Sequence, residues 1–187
     1  MLFLGSTFEK MPILSLRTST CVGHVIGHLI NPHKLKVDAL WCAMKGEKEP
    51  HLILLSDIRE ITTQGVIVDD HQVAVTPDET VRLQPIIDLA FELIDKKVVS
   101  GHITIGRVDD YAVDKESLVI QKIYARPSVW NMLKSSRLTF DRSQVVEVSH
   151  KYVRVTDSRV KSSAPVRKKK IQSPSLVPSA SASTIEE

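Results

Sequence analysis

The sequence is short of several things that would mark a specialised protein. Aromatic residues number nine in 187, and the last of them is Tyr152. Two cysteines, Cys21 and Cys42, are too few for a disulfide scaffold and fit a reducing compartment. No apolar run exceeds the six residues from Ala39 to Met44. A bilayer-spanning helix needs roughly 20, so no transmembrane segment is expected. Met1 to Gly5 carry neither a basic stretch nor a long apolar core, so the N-terminus does not read as a signal peptide. The seven glycines are scattered, with no phosphate-binding loop, dinucleotide fingerprint or Gly-x-Ser-x-Gly elbow. Excess charge is small as well, 25 basic against 22 acidic residues for a net +3. That balance alone does not mark a nucleic-acid binder. What remains is 42% apolar and 25% charged, ordinary globular usage. The expectation is a cytoplasmic, non-enzymatic protein without a cofactor.

The composition changes after residue 157. Residues 158–187 hold eight serines, three prolines, no glycine and no aromatic residue. Such a stretch has too little apolar surface to offset its ordering entropy and is expected to be a disordered tail. It carries six basic and two acidic residues, a net +4, which leaves residues 1–157 at −1. The run Arg167, Lys168, Lys169 and Lys170 is the densest charge. It is a candidate contact for RNA, an anionic membrane surface or an acidic protein face, acting as a nonspecific tether.

Before the tail, the sequence repeats. Shifted by 83 positions, VGHVIGHLINPHKLKVDALWC from Val22 lies over IGRVDDYAVDKESLVIQKIYA from Ile105 without a gap. Gly23 meets Gly106, Asn31 meets Asp114, Leu35 meets Leu118, Val37 meets Ile120, and Trp41 meets Tyr124. A second block matches at an offset of 87, pairing Ser56 with Ser143, Glu60 with Glu147, and Val68 with Val155. The second copy is four residues longer between Tyr124 and Ser143. So many matches with one gap indicate a duplication.

Both copies read as short strands. Val66-Ile67-Val68 and Val153-Arg154-Val155 are β-branched closures, and Leu118-Val119-Ile120 is similar. NPHK (Asn31 to Lys34) and DKES (Asp114 to Ser117) carry turn chemistry between strand-like runs. Between the copies, Thr76-Pro77-Asp78-Glu79 is a capping box. It predicts one short or bent helix from about Pro77 to Leu89, kinked or ended by Pro85.

The order of glycine, strand, Asn- or Asp-led turn, apolar strand with a terminal aromatic, and β-branched closure resembles the PRC-barrel family. IGRVDDYAVDKES, from Ile105 to Ser117, carries the resemblance best. The first copy is more degenerate, with His28 where the second has Tyr111. The resemblance covers about residues 13–70 and 96–157. It implies a mainly β fold of two tandem small PRC-like β-barrels joined by a short helix. The spans would be 1–75 for the first barrel, 76–92 for the helical linker, 93–157 for the second barrel, and 158–187 for the tail. The family has no catalytic motif. Its barrels occur in ribosome maturation factors of RimM type, in photosynthetic reaction-centre H subunits and in small stand-alone proteins. The resemblance therefore implies a protein-docking or adaptor module. The alternatives are an assembly factor binding a ribosomal small-subunit protein or rRNA, and a peripheral organiser of a membrane complex.

Other candidate sites are weak as sequence signals. Cys21, His24, His28, His33 and Cys42 crowd one region, but the spacing fits no zinc motif, and the second copy has Thr104, Arg107, Tyr111, Glu116 and Ala125 instead. Asp109, Asp110, Asp114 and Glu116 lack the spacing of a calcium loop. Neither group is expected to bind a metal. The longer connection of the second copy holds Trp130, Met132 and Leu133, residue types favoured at docking surfaces, and is the candidate protein contact. The competing expectation is that this segment plugs one mouth of its own barrel.

Overall fold

A computed structural model of the chain describes residues 1–128 and 137–156. Alternation builds its hairpins. β1 (Leu2–Leu4) and a single turn of helix, α1 (Gly5–Phe8), lead into β2 (Pro12–Ser15). β3 (Thr20–Asn31) and β4 (Lys36–Met44) form the first long hairpin. Val37, Ala39, Leu40, Cys42 and Met44 of β4 are buried, largely at the period of two that a pleated strand imposes. The Asn-led turn forms as expected. The Asn31 side-chain oxygen accepts from the backbone N–H of His33 and Lys34, while its amide donates to Asp38. β5 (His51–Leu54), β6 (Ile58–Ile61), β7 (Val66–Val68) and β8 (Ala74–Val75) complete a sheet ordered β6-β7-β2-β3-β4-β5-β8.

The second sheet repeats that plan. β9 (Lys97–Ser100), β10 (Ile103–Asp114), β11 (Ile120–Pro127), β12 (Leu138–Asp141), β13 (Val145–Val148) and β14 (Tyr152–Val155) are ordered β12-β11-β10-β9-β14-β13. Strand for strand this matches β5-β4-β3-β2-β7-β6, the first sheet read from its other end without β8. In both sheets one pair is parallel, β2 with β7 and β9 with β14. The β3–β4 register slips between Val25 and Gly27 and again between Leu29 and Ile30. The β10–β11 register slips between Val108 and Asp110 and between Ala112 and Val113, each 83 residues on. The turn of the second hairpin closes on Asp114, which accepts from the Ser117 N–H and hydroxyl. These bonds hold its carboxyl below the usual range. The molecule is mainly β, two curled sheets around one apolar cluster that runs from Ile13, Val25 and Leu40 to Val108, Ile123 and Phe140.

The paired glycines have a steric reason. A Cβ on Gly23 would lie 2.6 Å from the Ala43 carbonyl oxygen, and one on Gly106 would strike the carbonyl of Arg126. Ala43 and Arg126 are themselves 83 apart, so each copy needs the same close backbone approach. Gly23→Ala and Gly106→Ala are each expected to cost about 1–3 kcal/mol in urea unfolding, the usual cost of overpacking. Parent-like midpoints would show that the strand pairs separate freely.

The expected linking helix is not formed. The capping box is present, with the Thr76 N–H and hydroxyl both donating to Glu79 at 2.8 and 3.0 Å. It opens only a 3-10 turn, Pro77–Glu79, after which the Thr80 hydroxyl turns back to the Pro77 carbonyl. A separate turn, α2 (Gln84–Ile87), follows. Pro85 does not kink a running helix. It sits in the first turn of a new one, where its missing N–H costs nothing.

The sheets meet about a two-fold relation. The Val37 N–H donates to the Leu118 carbonyl at 3.0 Å, and the Ile120 N–H donates to the Leu35 carbonyl at 2.9 Å. Between them Lys36 bridges Val119, its own counterpart 83 residues away. Contacts between a residue and its own copy lie on a two-fold axis, so the copies pair like the halves of an isologous dimer. Leu35 and Leu118 both take left-handed backbone, φ +46° and +50°, which leucine ordinarily avoids. Both are buried, and both give their carbonyls to the opposite sheet, which over-determines the strained turn.

Candidate functional site

A second self-paired contact lies on the same axis. The Tyr111 hydroxyl and His28 Nδ1, again 83 residues apart, are 2.6 Å from each other. Burial pushes the Tyr111 phenol well above its ordinary value, with the Asp110 carboxylate adding to the rise, so the hydroxyl keeps its proton and donates it to Nδ1. His28 is then the neutral tautomer with hydrogen on Nε2, which is sealed from solvent without a hydrogen-bond partner. Burial lowers the His28 pKa from 6.5 to about 4, against the opposing pull of Asp110. The ring is packed edge to face against Phe8, centroids 5.2 Å apart.

The N-terminal segment completes this node. β1 adds to the second sheet, pairing Leu2, Phe3 and Leu4 with Asp114, Val113 and Ala112 of β10. The following turn lays Gly5 on the Tyr111 ring, where a Cβ would come within 2.6 Å of ring carbon. Ser6 then donates its N–H and hydroxyl to the buried Asp110 carboxylate, the hydroxyl at 2.7 Å, and the Tyr111 N–H donates to the same group. Serine, histidine and aspartate are all here, but in the wrong order for nucleophilic catalysis. The serine hydroxyl is spent on the aspartate, and the histidine faces the tyrosine. The chemistry of the arrangement is structural pinning.

Beside the node, on the first sheet, a cleft of about 640 Å³ opens between β3 and residues 87–94. That volume is in the range of ligand pockets, roughly 300–1,000 Å³. Its walls are apolar, with Leu29, Trp41, Phe91 and Leu93 below a rim where Ile26 and Ile94 are 47% and 41% exposed. Among the described lining residues only Glu9 and Glu92 carry charge, and neither is ion-paired.

The residues singled out in the sequence fare differently. Trp130, Met132 and Leu133 lie outside the described residues, as do Arg167, Lys168, Lys169 and Lys170. The cysteine and histidine cluster disperses. Cys42 Sγ donates to the His51 carbonyl, and burial pushes its thiol up to about 12, while Cys21 Sγ turns to the Gly23 carbonyl. The acids separate too, Asp109 to Arg126 and Arg137, Asp110 to Ser6, and Asp114 to its own turn. Among the described residues no group of three or more His, Cys, Asp or Glu is placed to hold a metal ion, and no helix is long and apolar enough to cross a membrane. The cleft itself was missed. Its one sequence signal is the repeated Phe-Glu, Phe8-Glu9 and Phe91-Glu92, again 83 apart, which brings both glutamates to one opening.

No protein-family model matches the chain, and no curated protein shows significant sequence similarity to it.

Proposed function

We propose that the protein is a non-enzymatic docking module of two PRC-barrel-like units, which binds another protein in the cytoplasm. The shared order of six strands and the matching register slips of the two sheets support the tandem reading. The observation that carries the docking reading is the open cleft, an apolar floor with a half-buried tryptophan and two exposed isoleucines at the rim. Tryptophan set in an apolar pocket is the usual anchor of a protein interface.

The test is reconstitution. A partner identified by cross-linking of the full chain in cells should form a complex from purified components that survives size exclusion. Ile26→Glu and Ile94→Glu, both at exposed positions, should abolish it while leaving the unfolding midpoint within a few degrees. A complex untouched by both substitutions, or no reconstituted complex at all, would overturn the docking reading.

A further inference from the structure

Both sheets carry an aromatic residue at the same register position, and the space around it is filled differently in each. Trp41 pairs with Leu52 across β4 and β5, and Tyr124 pairs with Thr139 across β11 and β12. The residue just before β5 is Pro50, and the residue just before β12 is Arg137, 87 positions on. On the long strands β3 and β10, Ile26 answers to Asp109 at the offset of 83. In the second copy these positions form a closed set. The Arg137 guanidinium lies over the Tyr124 ring, 4.5 Å from its centroid, and its Nη2 is 3.4 Å from one oxygen of Asp109. Arg126 pairs with the other oxygen at 3.2 Å.

The first copy keeps the aromatic and removes its occupant. Pro50 has no cation to fold over the ring, and Ile26 has no charge to hold one. Trp41, Pro50 and Ile26 line the open cleft instead. Among the described residues no cation lies over the Trp41 indole, although indole is the best aromatic acceptor of one. Gly27, paired with Trp41, brings no side chain onto it, where a Cβ would already touch Cδ1 at 3.8 Å. Phe91, the other large aromatic of the cleft, is served by Lys96, 4.7 Å from its centroid, whose amine also donates to the His150 carbonyl. The carboxylates of Glu9 and Glu92 line the same cleft without an ion-pair partner among the described residues. The cleft offers an uncovered indole, an apolar wall and negative charge.

We infer that the cleft is the seat of an arginine side chain presented by a partner protein, with the guanidinium over the Trp41 indole and Glu9 and Glu92 as its counter-charges. The chain's own Arg137 shows the form of the occupant at the equivalent place, stacked on an aromatic ring and paired with a carboxylate. The aliphatic stem lies along Ile26 and Pro50. Arginine suits the seat better than lysine, because its flat guanidinium stacks on a ring while its N–H groups reach a carboxylate. It is also a common anchor of protein interfaces. A single side chain enters from the open rim at Ile26 and Ile94 and leaves the packing of Ile86 and Ile87 on Leu29 in place. This inference rests on the docking reading and specifies what the partner presents.

The probe is the tripeptide LRL, capped at both ends and titrated into the ¹⁵N-labelled full chain. The amides of Ile26, Gly27 and Trp41 should shift in a saturable way, with a Kd of about 1 mM or below. The same peptide with citrulline for arginine keeps the shape without the charge and should bind roughly tenfold more weakly. LRL should lose roughly tenfold against the Glu9→Gln, Glu92→Gln double variant. It should lose as much against Pro50→Arg, which returns to the first copy the arginine that the second one has. All three positions are exposed, so both variants should keep the parent's unfolding midpoint within a few degrees. Equal binding of the citrulline peptide, undiminished binding to either variant, shifts centred elsewhere, or no saturation would overturn the inference. Two other occupants would overturn it as well. Shifts of the same amides on deleting residues 158–187, without peptide, would mean that the chain's own tail occupies the cleft. Shifts that follow protein concentration without peptide would mean that a second copy does. A reconstituted complex broken by Ile26→Glu but indifferent to glutamine at each of the partner's interface arginines would sink this inference and leave the docking reading standing.

Discussion

Acidifying the protein from pH 6.5 to pH 4 is expected to remove about 3 kcal/mol of stability through His28 alone. Above pH 6.5 the imidazole is neutral in both the folded and the unfolded chain, and the contribution is complete. Below that value the unfolded chain takes up a proton that the folded one refuses, because burial holds the folded pKa near 4. Stability therefore falls with falling pH through this window and stops falling, for this group, once the folded ring protonates too. Protonation at Nδ1 also reverses the bond, Nδ1–H then donating to the Tyr111 oxygen, so the change is felt on the axis where the two copies meet. The measurement is the urea midpoint against pH for the parent and for His28→Gln, whose amide oxygen still accepts from the hydroxyl. The carboxylates titrate in both proteins, so the difference isolates the histidine. Parallel profiles would sink the prediction.

Val37→Asp and Ile120→Asp are expected to be worse, each costing several kcal/mol. The two residues are 2% and 1% exposed, are counterparts of one another, and donate the reciprocal backbone bonds between the sheets. A carboxylate at either place has no partner in an apolar cluster that both sheets share. For a chain of this size each kcal/mol lowers Tm by roughly 2–4 °C, so a fall of about 10 °C or outright unfolding is expected. Val146→Asp, at a position 64% exposed on β13, is the control and should change little. Parent-like melting of either core variant would mean that the junction contributes nothing to folding.

Both expectations begin in the sequence and are completed outside it. The β class, the duplication and the two hairpin turns were legible, because each rests on local chemistry. Strand alternation, Asn and Asp at turns, and a glycine where backbones nearly touch act within a few residues of one another. The single helix expected from about Pro77 to Leu89 does not form, for an equally local reason. A capping box starts a turn without guaranteeing its continuation, and proline is as content to begin a turn as to end one.

What the sequence by itself determined was the β class and the duplication. How the two copies are joined was decided only in three dimensions. His28 looked like a degenerate position of the first copy because its role is to accept a bond from Tyr111, its own counterpart, and no pattern within one copy can show that. β1 precedes the first copy and pairs with the second sheet, while α2 precedes the second and packs on the first. Strand and helical-turn segments become unequal only when each meets the other copy's edge, where Leu2, Phe3 and Leu4 keep the pairing that Pro85 cannot complete. The cleft is the space left by that inequality. It belongs to no segment, so it became visible only when the tertiary structure set β3, Trp41 and residues 87–94 around it.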